Sequence, residues 1–161
     1  MDNVLRLLPS AAELEVLVRV VIATLAGAAI GWNRYRAGKP AGMGTHALVA
    51  LGAALFVAIP AHLSVPHSSD ALARVIQGVA TGVGFLGAGE IFRDPGPAGS
   101  VHGLTSAAAI WATAALGVLA VVGSWATIAV ATVLILLVLA LAPRAERKYP
   151  SPGGADSGRR P

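Results

Sequence analysis

The chain has 161 residues, 55% hydrophobic and 12% charged, with no Cys and a mean hydropathy of +0.71. Soluble domains carry about 25% charged residues, so a soluble protein is excluded, and the lack of Cys excludes thiol catalysis, disulfides and thiolate metal sites. The formal charge of +4 forms no basic stripe interleaved with aromatics, so no nucleic-acid partner is read from it; a basic membrane face accounts for it instead.

Asp, Glu, Lys and Arg are missing from residues 20–33, 40–69, 75–89 and 95–143, and the last stretch alone is long enough for two membrane spans of about 20 residues. After a short lead over 1–13, a first span is predicted over 14–32, carrying Glu15 and Arg19 one turn apart as a mutually compensating pair. Only Arg6 precedes the apolar run while Arg34, Arg36 and Lys39 follow it, the reverse of a signal peptide. The loop over 33–44 contains the turn sequence Gly-Lys-Pro-Ala-Gly. A second span follows over 45–63, and a short polar loop with His67 and Asp70 leads to a third over 72–92, rich in Gly. A Pro/Gly-rich link over 93–103 precedes a fourth span over 104–122. Gly123-Ser124 makes a minimal hairpin to a fifth over 125–142, which Pro143 is expected to stop. The tail over 143–161 is rich in Pro, Gly and Arg and is read as disordered.

The expected fold is therefore all-α, a polytopic membrane domain of five spans over 14–142 whose principal partner is the lipid bilayer. Five spans put the termini on opposite sides. Basic residues gather on the first loop, the third loop and the tail, so the N-terminus is expected outside and the tail in the cytoplasm. Gly27 and Gly31 on the first span, and Gly78, Gly82, Gly84, Gly87 and Gly89 on the third, are read as helix-packing positions that let another backbone approach closely. Excess small-residue surface would also pair two protomers, so a homo-oligomer is expected.

Four blocks in order, Gly27-Ala-Ala-Ile-Gly-Trp-Asn-Arg34, Gly38-Lys-Pro-Ala-Gly-Met-Gly-Thr-His-Ala-Leu-Val49, Gly82-Val-Gly-Phe-Leu-Gly-Ala-Gly89 and Val101-His-Gly-Leu-Thr-Ser-Ala-Ala108, resemble the MgtC/SapB family of bacterial membrane proteins. The resemblance covers about residues 14–142. It implies a five-span, multi-pass inner-membrane protein associated with growth under low magnesium and often labelled a magnesium transporter. In some members it implies regulation of another membrane complex, including the rotary ATP synthase, and it brings no enzymatic activity. The chain departs from the family pattern where Asn33 replaces an acidic residue, Gly44 and His102 replace arginines, and Glu90 replaces an apolar residue. It reads as a short form without the C-terminal regulatory domain of longer members.

Under that resemblance Mg2+ is the expected ion. Magnesium takes oxygen ligands and keeps several waters, and Asn33, Thr45, Glu90 and Asp94 are the candidate contributors from the cytoplasmic helix ends. Arg34 is read as a positive-inside anchor or as the partner of an anion. His46 and His102 are read as hydrogen-bonding turn residues, and Thr45 and Thr105 as helix caps. Glu90, expected in the last turn of the third span at the negative end of the helix dipole, needs a cation there: Arg93, Arg34 or a divalent ion. At the outer end Asp70, Arg74 and Gln77 share one helix face, Asp70 as a cap and Arg74 snorkelling, or all three as a polar site.

Overall fold

The computed structural model describes residues 10–62, 68–95 and 100–148. Most of the lead, the polar loop over 63–67 with His67, and the tail beyond 148 lie outside the described residues. The described residues form five helices: α1 (Ala11–Arg36), α2 (Met43–His62), α3 (Ser68–Gly89), α4 (Leu104–Val122) and α5 (Trp125–Lys148). Each is long and apolar enough to cross a membrane, and the chain is an all-α, multi-pass membrane protein. Between α3 and α4 two short strands, β1 (Phe92–Arg93) and β2 (Val101–His102), pair antiparallel with Phe92 opposite His102. They flank part of the Pro/Gly-rich link expected over 93–103.

Local chemistry moves several helix ends. α1 starts three residues early because Ser10 caps it: the Glu13 N–H donates to Ser10 Oγ, and the Ser10 N–H donates to Glu13 Oε2 at 2.7 Å. α1 also runs past the apolar segment to Arg36, its last turn carrying Arg34 and Arg36 at the negative end of the dipole. Gly38, at φ +68, then turns the chain back. Pro143 does not stop the fifth helix, which continues to Lys148. A proline removes one backbone donor, here the one that would serve the Leu139 carbonyl, and within a membrane-spanning helix local adjustment tolerates that loss. Asp70 falls in the first turn of α3 rather than at its cap. Thr45 and Thr105 likewise lie inside their helices, and Gly103 holds the cap position of α4.

α4 is the centre of the bundle, with half of its span buried against 11% for α3 and α5. Its buried residues include Ser106, Ala109, Ile110, Thr113, Leu116, Gly117 and Ala120, one stripe at helical spacing. Close approach is concentrated on α1, α2 and α4. A Cβ built on Gly27 would lie 2.6 Å from the His46 carbonyl oxygen, and one on Gly31 would lie 2.6 Å from both Gly42 O and Met43 Cα. Gly117 meets the Ala50 carbonyl in the same way. The third-span row differs: a Cβ at Gly78, Gly82, Gly84 or Gly89 meets no described atom within 4 Å, and one at Gly87 makes ordinary contact with Ala107 at 3.6 Å. The close approach expected of that row is thus not made among the described residues: Gly87 alone faces α4, at ordinary contact distance, and Gly78, Gly82, Gly84 and Gly89 face no described neighbour.

At the opposite end from the strands, Arg19 does more than pair with Glu15 at 2.9 Å. Its Nη1 donates to the carbonyls of Ala120 at 3.0 Å and Gly123 at 2.9 Å, and its guanidinium lies 4.6 Å from the centre of the Trp125 ring. One side chain thereby satisfies carbonyls that the end of α4 leaves open and joins α1 to the α4–α5 turn.

Candidate functional site

The buried face of α1 reads Val20, Ala23, Gly27, Ile30, Gly31 and Arg34. Arg34 continues an otherwise apolar stripe, so the helix carries a guanidinium into the bundle, where only 2% of the residue remains exposed. Nη2 donates to Ser106 Oγ at 2.7 Å, while Nε has no partner among the described residues. On α2, His46 is fully buried. Its Nδ1 lies 3.0 Å from the Gly42 carbonyl, and since a carbonyl only accepts, Nδ1 carries the proton and donates. The other ring nitrogen, Nε2, is also buried and has no partner among the described residues.

Glu90 lies just beyond α3 rather than in its last turn. It is half-buried, and its charge acts on both Arg34 and His46. Gly103 seats it: at φ +88 and without a side chain, Gly103 lies so close to the Glu90 carbonyl that a Cβ would overlap it. Four chain segments therefore converge: Arg34 from α1, His46 from α2, Glu90 after α3 and Ser106 from the first turn of α4. Charged and polar groups that lie inside a membrane bundle are costly unless they pair, and they mark candidate functional positions.

The four proposed magnesium ligands do not form one coordination sphere. Asn33, one residue before Arg34, lies about 100° around the helix and lines a groove against α5 with Trp32, Arg36 and Leu137. Asp94 is committed to His102, whose Nε2 is 2.9 Å from Asp94 Oδ2. Thr45 is exposed on the first turn of α2. Among the described residues no three His, Asp or Glu side chains gather as a metal cluster. His102 is a strand residue of the hairpin, stacked on Phe92 at 5.3 Å between ring centres, and its exposed link to Asp94 is worth at most about 1 kcal/mol. Arg93 is exposed on β1 and Thr105 on α4. Asp70, Arg74 and Gln77 are exposed on α3, away from the cluster.

Ser106 was not legible as a site residue beside its neighbour Thr105. The available signal was periodicity: Ser106 begins the stripe that continues through Ala109, Ile110 and Thr113. Around Arg34 and His46 the arrangement supplies buried positive charge and one half-buried carboxylate. That favours holding the helices together or accepting an anion over dehydrating a divalent cation, which demands several oxygens.

The MgtC family model matches residues 20–148. The chain is 47% identical over 148 residues to protein SrpB of Synechococcus elongatus, covering 87% of this chain and 81% of that one. It is 39% identical over 131 residues to the putative magnesium transporter YhiD of Escherichia coli, covering 78% of this chain. It is 38% identical over 120 residues to protein MgtC of Salmonella typhimurium, covering 74% of this chain. The chain spans 59% of the length of YhiD and 49% of that of MgtC. No solved structure matches it.

Proposed function

The chain belongs to the MgtC family, and from that premise we propose that it serves magnesium homeostasis as a non-enzymatic regulator of another membrane complex, without conducting the ion. The relatives named magnesium transporter and MgtC support the link to magnesium. The observation that carries the regulatory reading is Arg34, a guanidinium 2% exposed where four chain segments meet. A fixed, buried positive charge where the helices converge opposes the entry of a cation there. The transport reading rests on Asp70 and Glu90, the acidic residues near the two ends of α3. Asp70 is exposed on α3 while Glu90 is half-buried near the charge of Arg34, which does not support a shared path.

Magnesium uptake into proteoliposomes holding only this protein tests the proposal. Uptake is expected to equal that of protein-free vesicles, while production of the protein in cells at low magnesium changes their growth. Saturable uptake by the purified protein would overturn the regulatory reading.

The proposed setting is a bacterial inner membrane with the N-terminus outside and the tail in the cytoplasm. Arg34, Arg36, Lys39, Arg93 and Arg144 support it by lying on the loops and helix ends of one side. Reporter fusions after Lys39 and after Lys148 are both expected to report cytoplasm. A periplasmic signal from either reverses the orientation.

A further inference from the structure

We propose that the outward face of α3 is a homotypic interface, on which α3 of a second copy of this chain crosses at Gly78 and Gly82, with the two Gln77 carboxamides bonded to each other. The proposal requires only that the five helices cross a membrane, and it is independent of the magnesium reading.

Gln77 is the first observation. It lies near the middle of the span Ser69–Gly89, is exposed, and its side chain has no hydrogen-bond partner among the described residues. Hydrocarbon offers a carboxamide nothing to bond with, so an outward Gln at this depth needs a protein partner. A carboxamide both donates and accepts. A second copy related by a two-fold axis therefore supplies its complement without any further residue. One turn on, Thr81 donates internally to the Gln77 carbonyl at 2.9 Å and adds no unpaired donor to the face.

The second observation is charge. Asp70 and Arg74 are exposed one turn apart on the same side as Gln77, and among the described residues neither makes an ion pair. An acid and a base adjacent on one helix are self-complementary under a two-fold axis: each Asp70 faces the other copy's Arg74. Lipid chains answer neither the charges nor the carboxamide.

The third is shape. Gly78 and Gly82 have open space where side chains would stand, so a facing backbone can approach to the separation at which small residues promote association. Beside them Phe85 is 81% exposed. A neighbouring groove of about 570 Å3 between α2 and α3, lined by residues including Leu48, Phe56, Val75 and Leu86, has room for a large side chain of the facing copy.

The chain has no Cys, so single introduced cysteines report the contact cleanly. In native membranes under mild oxidation, Thr81→Cys and Phe85→Cys should form covalent dimers, whereas Leu134→Cys, exposed on α5, should not. Adding Gln77→Leu should lower the Phe85→Cys dimer yield about five-fold or more. Asp70→Arg should lower it too, and the charge exchange Asp70→Arg with Arg74→Asp should restore it. A Cβ at Gly82 meets no described atom within 4 Å, so Gly82→Leu should insert and fold yet run as a monomer in mild detergent; should it fail to fold, the Gln77 and charge-exchange variants still decide. No dimer at Thr81 and Phe85, or equal dimer at Leu134, would overturn the interface. A cross-link from Phe85→Cys to a protein of another mass would overturn the second copy as its occupant.

Discussion

Gly31→Val should abolish the fold, with no folded species recovered in detergent, while Gly89→Val should leave the protein intact. Any side chain at Gly31 begins with a Cβ 2.6 Å from the Gly42 carbonyl oxygen and from Met43 Cα, and 2.9 Å from Met43 N. All three are backbone atoms at the start of α2, so relief requires α1 and α2 to separate. Their separation would also dislodge Arg34, one turn further along α1, from Ser106. Overpacking a tight site costs about 1–3 kcal/mol where side chains can adjust, and a backbone collision should exceed that range. Gly89 has nothing within 4 Å, so its substitution meets open space. Size-exclusion profiles and protease resistance of the two variants make the comparison. A Gly31→Val protein that folds like the parent would refute the packing described between α1 and α2.

Arg34→Met should destabilise the protein by about 1–2 kcal/mol, because the lost Ser106 bond and the lost attraction to the half-buried Glu90 are offset in part by the relief of a buried, incompletely bonded guanidinium. The substitution keeps most of the apolar stem and removes the charge. Ser106 loses its partner but can turn its hydroxyl to a carbonyl of its own helix, and Glu90 loses the attraction of a nearby positive charge. Glu90→Gln should cost less alone, and the double variant should lose less than the two single losses added together, with a coupling of about 0.5–1 kcal/mol. Unfolding of the four proteins in a single detergent yields the cycle. Strict additivity would show that Glu90 is not the charge partner of Arg34. The same Glu90→Gln protein separates two roles: as a countercharge it should keep magnesium-linked growth at normal abundance, and loss of growth support in a well-folded variant would return Glu90 to the list of ion ligands.

Hydropathy and length alone identify five spans, and the fourth is predicted over the range at which Leu104–Val122 is found. Charge-free runs leave few alternatives for a chain that must satisfy its backbone inside lipid. The ends are less legible because hydropathy tracks the bilayer while hydrogen bonds define the helix. The Ser10 and Glu13 capping box extends α1 into polar sequence, and α5 passes Pro143. Polar residues at the helix ends also pointed to Arg34, His46 and Glu90. Which of them meet depended on rotation about each helix axis, a quantity to which composition is blind. Asn33 and Arg34 are neighbours in the chain, yet one lines the groove against α5 and the other is buried against Ser106. The glycines make the same point: Gly27 and Gly31 repeat the four-residue spacing of Gly78 and Gly82, but among the described residues only the first pair touches another backbone. Small residues permit close approach on whichever side they stand. The neighbour is chosen by the packing of α4 among the other helices, through contacts distant in sequence.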